Sequence, residues 1–159
     1  MITTLLFDFS YVLLFPKDSH YMGKLNALHK ELSQKPNYVF FDHYVLNNEL
    51  LDYLKNLKEK YILAIFTTGN IQNVPEVRSE LDKVFSKVFS SADIGYVKSD
   101  SEAYLYVAKQ LGVEPKDILF IDDQEENVLA AKTAGLSVIR YTLNKELFTS
   151  LSLLLGNLS

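Results

Sequence analysis

The apolar residues of the chain fall into two patterns. Apolar runs occur at Ile2 to Phe7, Tyr61 to Phe66 and Ile118 to Ile121, and shorter strands are read at Val84 to Phe89 and Ser137 to Tyr141, where Ser86, Lys87 and Arg140 interrupt the apolar residues. Runs of this length mark strands covered on both faces. Between them, apolar positions recur at helical spacing. Met22, Leu25, Leu28 and Leu32 predict one amphipathic helix over His20 to Leu32, stopped before Pro36. Asn47 or Asn48 caps a second helix through about Glu59, with Leu50, Leu51, Leu54 and Leu57 on one face. Further helices are expected over Pro75 to Lys83, from Ser99 or Asp100 to Leu111 before Gly112, over Glu125 to Ala134 before Gly135, and from Asn144 onward. Alternating strands and helices with short connections predict a parallel sheet flanked on both faces.

Composition narrows the function classes. At 159 residues the chain reads as a single domain spanning 1–159, with a hydrophobic content of 48% and a charged content of 23%. A net charge of −4 argues against binding nucleic acid through a broad basic face. There is no cysteine, so disulfides and thiolate metal sites are excluded. No stretch approaches the ~20 apolar residues of a membrane span. The N-terminal apolar run has no basic segment before it, so it is not read as a signal peptide, and a cytoplasmic location is the default expectation.

Candidate chemistry sits where the strands end. The first run closes on Asp8; a carboxylate is costly inside a sheet, so Asp8 belongs at the strand's carboxyl end, where open α/β sheets form their ligand crevice. The run 61–66 leads into Thr67, Thr68, Gly69 and Asn70. Lys98 stands just ahead of a helix, and the run 118–121 ends in Asp122 and Asp123, followed by Asn127. Each of these has an ordinary reading: a turn acid, a strand-end threonine, a solvated lysine, an acidic helix start favoured by the macrodipole. Together they make a carboxylate, a hydroxyl, an ammonium and an acidic pair, and such pairs suit Mg²⁺, which takes oxygen ligands.

These four stretches, in this order at strand ends, resemble the haloacid dehalogenase (HAD) superfamily, phosphatase-type. The resemblance covers nearly the whole chain outside about 30 residues after Pro16. It implies a doubly wound three-layer α/β fold with strand order 5-4-1-2-3. It places a turn and hairpin flap at residues 10–16 and a helical cap after Pro16, here reduced to a stub over about residues 17–45. A stub of that length is expected to leave the site open to solvent. Tyr38 to Tyr44, dense in aromatics, is read as packing between stub and main domain, or as a contact surface for a second copy in a homodimer. His20, His29 and His43 are read as structural or exposed.

The resemblance also implies roles. Asp8 becomes the nucleophile that forms an aspartyl-phosphate with a phosphorylated small molecule or accessible macromolecule. Asp8, the backbone carbonyl of Ser10 and Asp123 become Mg²⁺ ligands, with Asp122 and Asn127 orienting Asp123 or metal-bound water. Thr67 holds a phosphate oxygen, aided by the backbone N–H groups of Thr68 and Gly69, and Lys98 neutralises phosphate charge. One departure counts. Most phosphatases of this superfamily carry a second aspartate two residues after the nucleophile, and here that position is Ser10. A serine hydroxyl is a poor general acid, a function worth ~10²–10⁴-fold. Two functions stay open: a Mg²⁺-dependent phosphatase, and a phosphate- or Mg²⁺-binding protein that has lost turnover and acts by interaction. A phospho-accepting receiver domain is set aside, because there the acidic pair follows the first strand.

Overall fold

The structure, a computed structural model, describes residues 1–156. In chain order it comprises β1 (Thr4–Phe7), β2 (Leu14–Pro16), α1 (Leu25–Leu32), α2 (Phe40–His43), β3 (Tyr44–Leu46), α3 (Asn48–Lys55), β4 (Ile62–Thr67), α4 (Pro75–Leu81), β5 (Lys87–Ser90), α5 (Ser91–Ile94), α6 (Ser101–Leu111), β6 (Ile118–Asp122), α7 (Glu125–Thr133), β7 (Ser137–Arg140) and α8 (Asn144–Leu155). Five strands form a parallel sheet in the order β5-β4-β1-β6-β7. This is the expected order, with β1 at the centre. β2 and β3 pair antiparallel as a separate ribbon, and the expected stub lies between them.

The apolar runs are explained by parity. Leu5, Phe7, Leu63, Ile65, Leu119 and Ile121 pack on one side with Leu50, Leu51 and Leu54 of α3, Val77 and Leu81 of α4, and Leu147 and Leu151 of α8. Leu6, Ala64, Phe66, Ile118 and Phe120 pack on the other with Ala103, Tyr104, Val107 and Ala108 of α6 and Ala130 and Ala131 of α7. Successive strand residues serve opposite faces, and both faces are covered by helix. The result is the doubly wound three-layer arrangement.

Local differences from the expected elements have physical causes. The first helix begins at Leu25, not His20, and Met22 is exposed. The carbonyls of Gly23 and Lys24 accept from the hydroxyls of Tyr11 and Tyr21, which holds that segment extended. The apolar pair Val84 and Phe85 turns back on the end of α4, both amides donating to the Leu81 carbonyl, so the strand expected from Val84 starts at Lys87. The helix after Asn47 stops at Lys55, yet Leu57 remains buried in the following turns. Gly112 ends α6 at a φ of 70°, which a side chain would strain. In the aromatic segment Phe40 and Tyr44 are buried and stacked 4.5 Å apart, while Tyr38 stacks on His43. The rings serve the interior, as the packing reading held.

Asn47 joins three elements at once. Its side chain accepts from the Leu50 amide, donates to the Val12 carbonyl, and forms a reciprocal amide pair with Asn144 at the start of α8. Asn48 is exposed. Asn47→Ala is therefore expected to lower unfolding stability by about 1–2 kcal/mol in urea titrations. Asn48→Ala should stay within about 0.5 kcal/mol of the parent. Equal effects at the two positions would contradict the assignment of the cap.

Candidate active site

Asp8 follows β1 directly, and its amide still continues the sheet by donating to the Ile121 carbonyl at 2.8 Å. The residue is 7% exposed. The ammonium of Lys98 lies 2.7 Å from Asp8 Oδ1 and 2.8 Å from Asp122 Oδ2, and the lysine is 2% exposed. Lys98 is thus no solvated surface residue. Its carbonyl accepts from the buried Tyr104 hydroxyl of α6, and its Nζ lies 5.5 and 5.6 Å from the ring centres of Phe66 and Phe120. The loop carrying it is therefore anchored to the α6 side of the sheet, the side toward which even-numbered β1 positions point.

Asp122 has no oxygen to spare. Oδ2 accepts from Lys98 and from Asn127 Nδ2 at 3.1 Å, and Oδ1 accepts from the Gln124 amide at 2.7 Å. Asp123 is only partly buried, and one of its oxygens accepts from Gln124 Nε2. Carboxylate oxygens of Asp8, Asp122 and Asp123 lie within 4.8 Å of one another. Three acids thus cluster at one ammonium, which pairs with two of them, Asp8 and Asp122. Burial pushes the Asp8 carboxyl up to about 7, and the charges of Asp122 and Asp123 add to this against the pull of Lys98. Burial also raises Asp123, with Asp122 contributing. For Lys98 burial works the other way, but Asp8 and Asp122 together outweigh it and hold the ammonium above its usual range. Lysine and Asp8 both shift upward because one cation divided between two acids is fully satisfied while each acid is not.

This donor set fits a hard divalent cation. It consists of oxygen only, it carries excess negative charge, and two of its carboxylates, Asp8 and Asp123, keep free lone pairs. The Ser10 carbonyl accepts from no group among the described residues. Ser10 itself borders the cavity.

The cavity has a volume of about 670 Å³ and is walled by the ends of β1 and β6, the loop 95–99, and residues 22–26 of the stub. Residues 22–26 of the stub therefore form one wall of the cavity, with Met22 still exposed to solvent. The stub gains this reach by contact: Asn26 of α1 donates to the Thr68 hydroxyl at 3.4 Å, and its amide sits where a Cβ on Gly69 would be, 2.2 Å away. Glycine at 69 is what lets the stub settle there. Thr68 borders the cavity, whereas Thr67 is 2% exposed and does not. The pleat explains this: Thr67 shares the parity of Leu63 and Ile65, on the side away from Lys98. His20, His29 and His43 lie off the cavity wall.

Several residues of the site carried no signal in the sequence. The Gly69 carbonyl accepts from Gln72 Nε2 at 2.7 Å and from Ser90 Oγ at 2.8 Å. Ser90 and Ser91 both reach the Thr68 carbonyl at 3.4 Å. A trans peptide sets its N–H opposite its C=O. Pinning these two carbonyls therefore fixes the amides of Gly69 and Asn70 in the opposite direction, and neither donates to a protein group among the described residues. Gln72 is 1% exposed and its Oε1 has no partner among the described residues, an arrangement that costs stability.

Residues 15–135 match the family model of haloacid dehalogenase-like hydrolase. The chain belongs to the haloacid dehalogenase-like hydrolases. The match starts after Asp8 and Ser10, whose placement rests on the geometry above. Among curated relatives, a phosphoglycolate phosphatase of Haemophilus influenzae (strain 86-028NP) is 30% identical over 92 residues, covering 56% of this chain and 41% of that protein. An enolase-phosphatase E1 of Aquifex aeolicus is 35% identical over 101 residues, covering 60% and 44%. These alignments span less than half the length of those relatives. A HAD family enzyme of Bacteroides thetaiotaomicron, solved with magnesium and inorganic phosphate, superposes with a TM-score of 0.69 at 21% identity, over 93% of this chain and 100% of that one. At that identity the likeness speaks for the fold.

The strained charge balance at Asp8 gives a test in the metal-free protein. With a folded pKa near 7 and an unfolded one near 3.8, the folded state holds a proton that the unfolded chain releases between those values. Stability contributed by this group therefore falls as pH rises through that window and is level above it. Asp8→Asn, measured by urea unfolding in EDTA, should be more stable than the parent at neutral pH. The gain should shrink as the pH is lowered toward the unfolded value. A gain that stays constant across the window would contradict the buried-carboxyl account.

Proposed function

We propose that the chain is a Mg²⁺-dependent phosphomonoester phosphatase acting through an aspartyl-phosphate on Asp8. The observation that carries this reading is the buried triad Asp8–Lys98–Asp122 with Asp123 alongside, opening on one cavity. The family membership and the two phosphatase relatives support it. Bound by Asp8, the Ser10 carbonyl and Asp123, Mg²⁺ would offset the repulsion between a carboxylate and an incoming phosphate. Asp122 and Asn127 orient rather than bind, since both oxygens of Asp122 are taken.

The chain's own residues then divide the work. Asp8 Oδ attacks phosphorus as the ester oxygen leaves. Lys98, already held at Asp8, favours the ionised nucleophile and faces the phosphoryl charge. Thr68, which borders the cavity, receives a phosphate oxygen, and the amides of Gly69 and Asn70, held by the pinned carbonyls beside it, are free to receive others. Water hydrolyses the aspartyl-phosphate. Residues 17–45 act as the reduced cap. The inward aromatic rings of residues 38–44 leave a homodimer through that segment with little to stand on. Ser10 supports the alternative, a phosphate- or Mg²⁺-binding protein without useful turnover.

The deciding experiment is hydrolysis of an aryl phosphate with Mg²⁺, with EDTA, and by Asp8→Ala. Turnover that needs both metal and Asp8 is expected, and turnover retained in Asp8→Ala would reject the assignment. Mg²⁺ titration by calorimetry should show weak one-site binding that Asp123→Ala abolishes; undiminished affinity in that variant would move the metal elsewhere. Gln72→Leu should weaken inorganic phosphate binding about tenfold while leaving Mg²⁺ affinity as it was, because it frees the Gly69 carbonyl and only part of the cradle is lost.

A further inference from the structure

The cavity is wider than a phosphate requires, and its outer wall has a distinct chemistry. Tyr11, Met22, Leu25, Tyr96 and Val97 line it from two sides, the first three preceding or belonging to the stub and the last two in the loop before Lys98. Met22 is 88% exposed and Val97 67%, so most of their apolar surface has no partner among the described residues. Tyr11 and Tyr96 are each braced by a second ring, Phe15 and Tyr106, which fixes the faces they present. Apart from Lys98, the one cation on this wall is Lys24.

The inner part of the same cavity lacks a proton donor for a leaving group. Ser10 stands where the side chain two after the nucleophile would act. The Lys98 ammonium is engaged by Asp8 and Asp122. The Tyr11 hydroxyl donates to the Gly23 carbonyl. Glu126, an exposed carboxylate on α7, is the one acid of the wall outside the proposed metal cluster.

Resting on the phosphatase reading above, we propose that the substrates are aryl phosphates, monoesters of a phenol. The reaction needs no donor for such an ester. Asp8 Oδ bonds to phosphorus, the P–O(aryl) bond breaks, and the electron pair leaves on a phenolate stabilised by its ring, which takes a proton from bulk water. Water then attacks phosphorus, the P–O(Asp8) bond breaks, and inorganic phosphate and the Asp8 carboxylate are released, with one water proton passing to solvent. An alkyl phosphate would have to expel an alkoxide unaided. A diphosphate or acyl phosphate leaves readily, but its anionic leaving group would meet an apolar wall with a single lysine. The phenol ring fits that wall by burying Met22, Val97 and the tyrosine faces. Since Ser10 also supplies no base for the second step, the aspartyl-phosphate accumulates.

The test is a substrate series with Mg²⁺: 4-nitrophenyl phosphate, O-phosphotyrosine, glycerol phosphate and acetyl phosphate, read as kcat/KM and as pre-steady-state product. Both aryl esters should exceed glycerol phosphate by about 10²–10⁴-fold, the range of general acid catalysis. Each should show a burst of phenol equal to the enzyme present. Ser10→Asp should close the gap by raising glycerol phosphate turnover, and Val97→Asp should raise KM for the aryl esters several-fold. Parity of aryl and alkyl esters, or preference for acetyl phosphate, overturns the proposal while leaving the phosphatase reading in place. A loss of alkyl turnover in Glu126→Gln with a changed pH profile also overturns it, by identifying a proton donor. Failure of every ester to phosphorylate Asp8 brings down both readings together.

Discussion

The site depends on one buried ammonium. Lys98 is drawn out of water into the end of the sheet, a position that is tolerable only because Asp8 and Asp122 meet it at 2.7 and 2.8 Å. Removing the lysine leaves two desolvated carboxylates without a cation, whereas removing Asp8 still leaves the ammonium paired with Asp122. The neighbouring structure serves this contact. Phe66 and Phe120 exclude water around the lysine, Tyr104 fixes its backbone, and Asn127 with the Gln124 amide holds Asp122 so that it faces the ammonium. The pair of acids is nevertheless one negative charge in excess before Asp123 is counted. Burial and then that excess raise Asp8, and the excess makes the site a place for a cation.

A second constraint is the placement of carbonyls near Gly69. The strand end alone would leave a loop free to turn either way. Ser90, Ser91 and Gln72 hold its oxygens from behind, so its amide groups are presented as a set. The stub completes the arrangement from the other side. Only eight residues of helix remain in α1, yet Asn26 reaches Thr68 and Gly69, and residues 22–26 become a wall of the cavity. A short insertion can shape a site when it is anchored at both ends, here by the β2–β3 ribbon and by this contact.

Much of this was legible in the sequence because the signals are local or periodic. Strands buried on both faces leave apolar runs, and an acid at the end of such a run has few places to go, which is how Asp8, Asp122 and Asp123 stood out. The strand order followed from the resemblance those ends carry. Lys98 was picked out through the resemblance; by itself it reads equally as a surface lysine until the fold brings it between two acids. What escaped was set by tertiary contact. Thr67 and Thr68 are adjacent and alike, and only the pleat decides which faces the cavity. Val84 and Phe85 have strand composition but spend it on a turn against α4. The reach of the stub rests on the missing side chain of Gly69, and Gln72 looks like any polar residue until its burial is known.

The central claim is that Asp8 becomes covalently phosphorylated. It is tested most directly by mixing the protein with an aryl phosphate and Mg²⁺, quenching in acid, and locating the modification by peptide mass spectrometry. The account predicts one phosphoryl group on the peptide containing Asp8, absent when Mg²⁺ is removed by EDTA and absent in Asp8→Asn. A phosphoryl group on another residue, or phosphate release with Asp8 never modified, would contradict it.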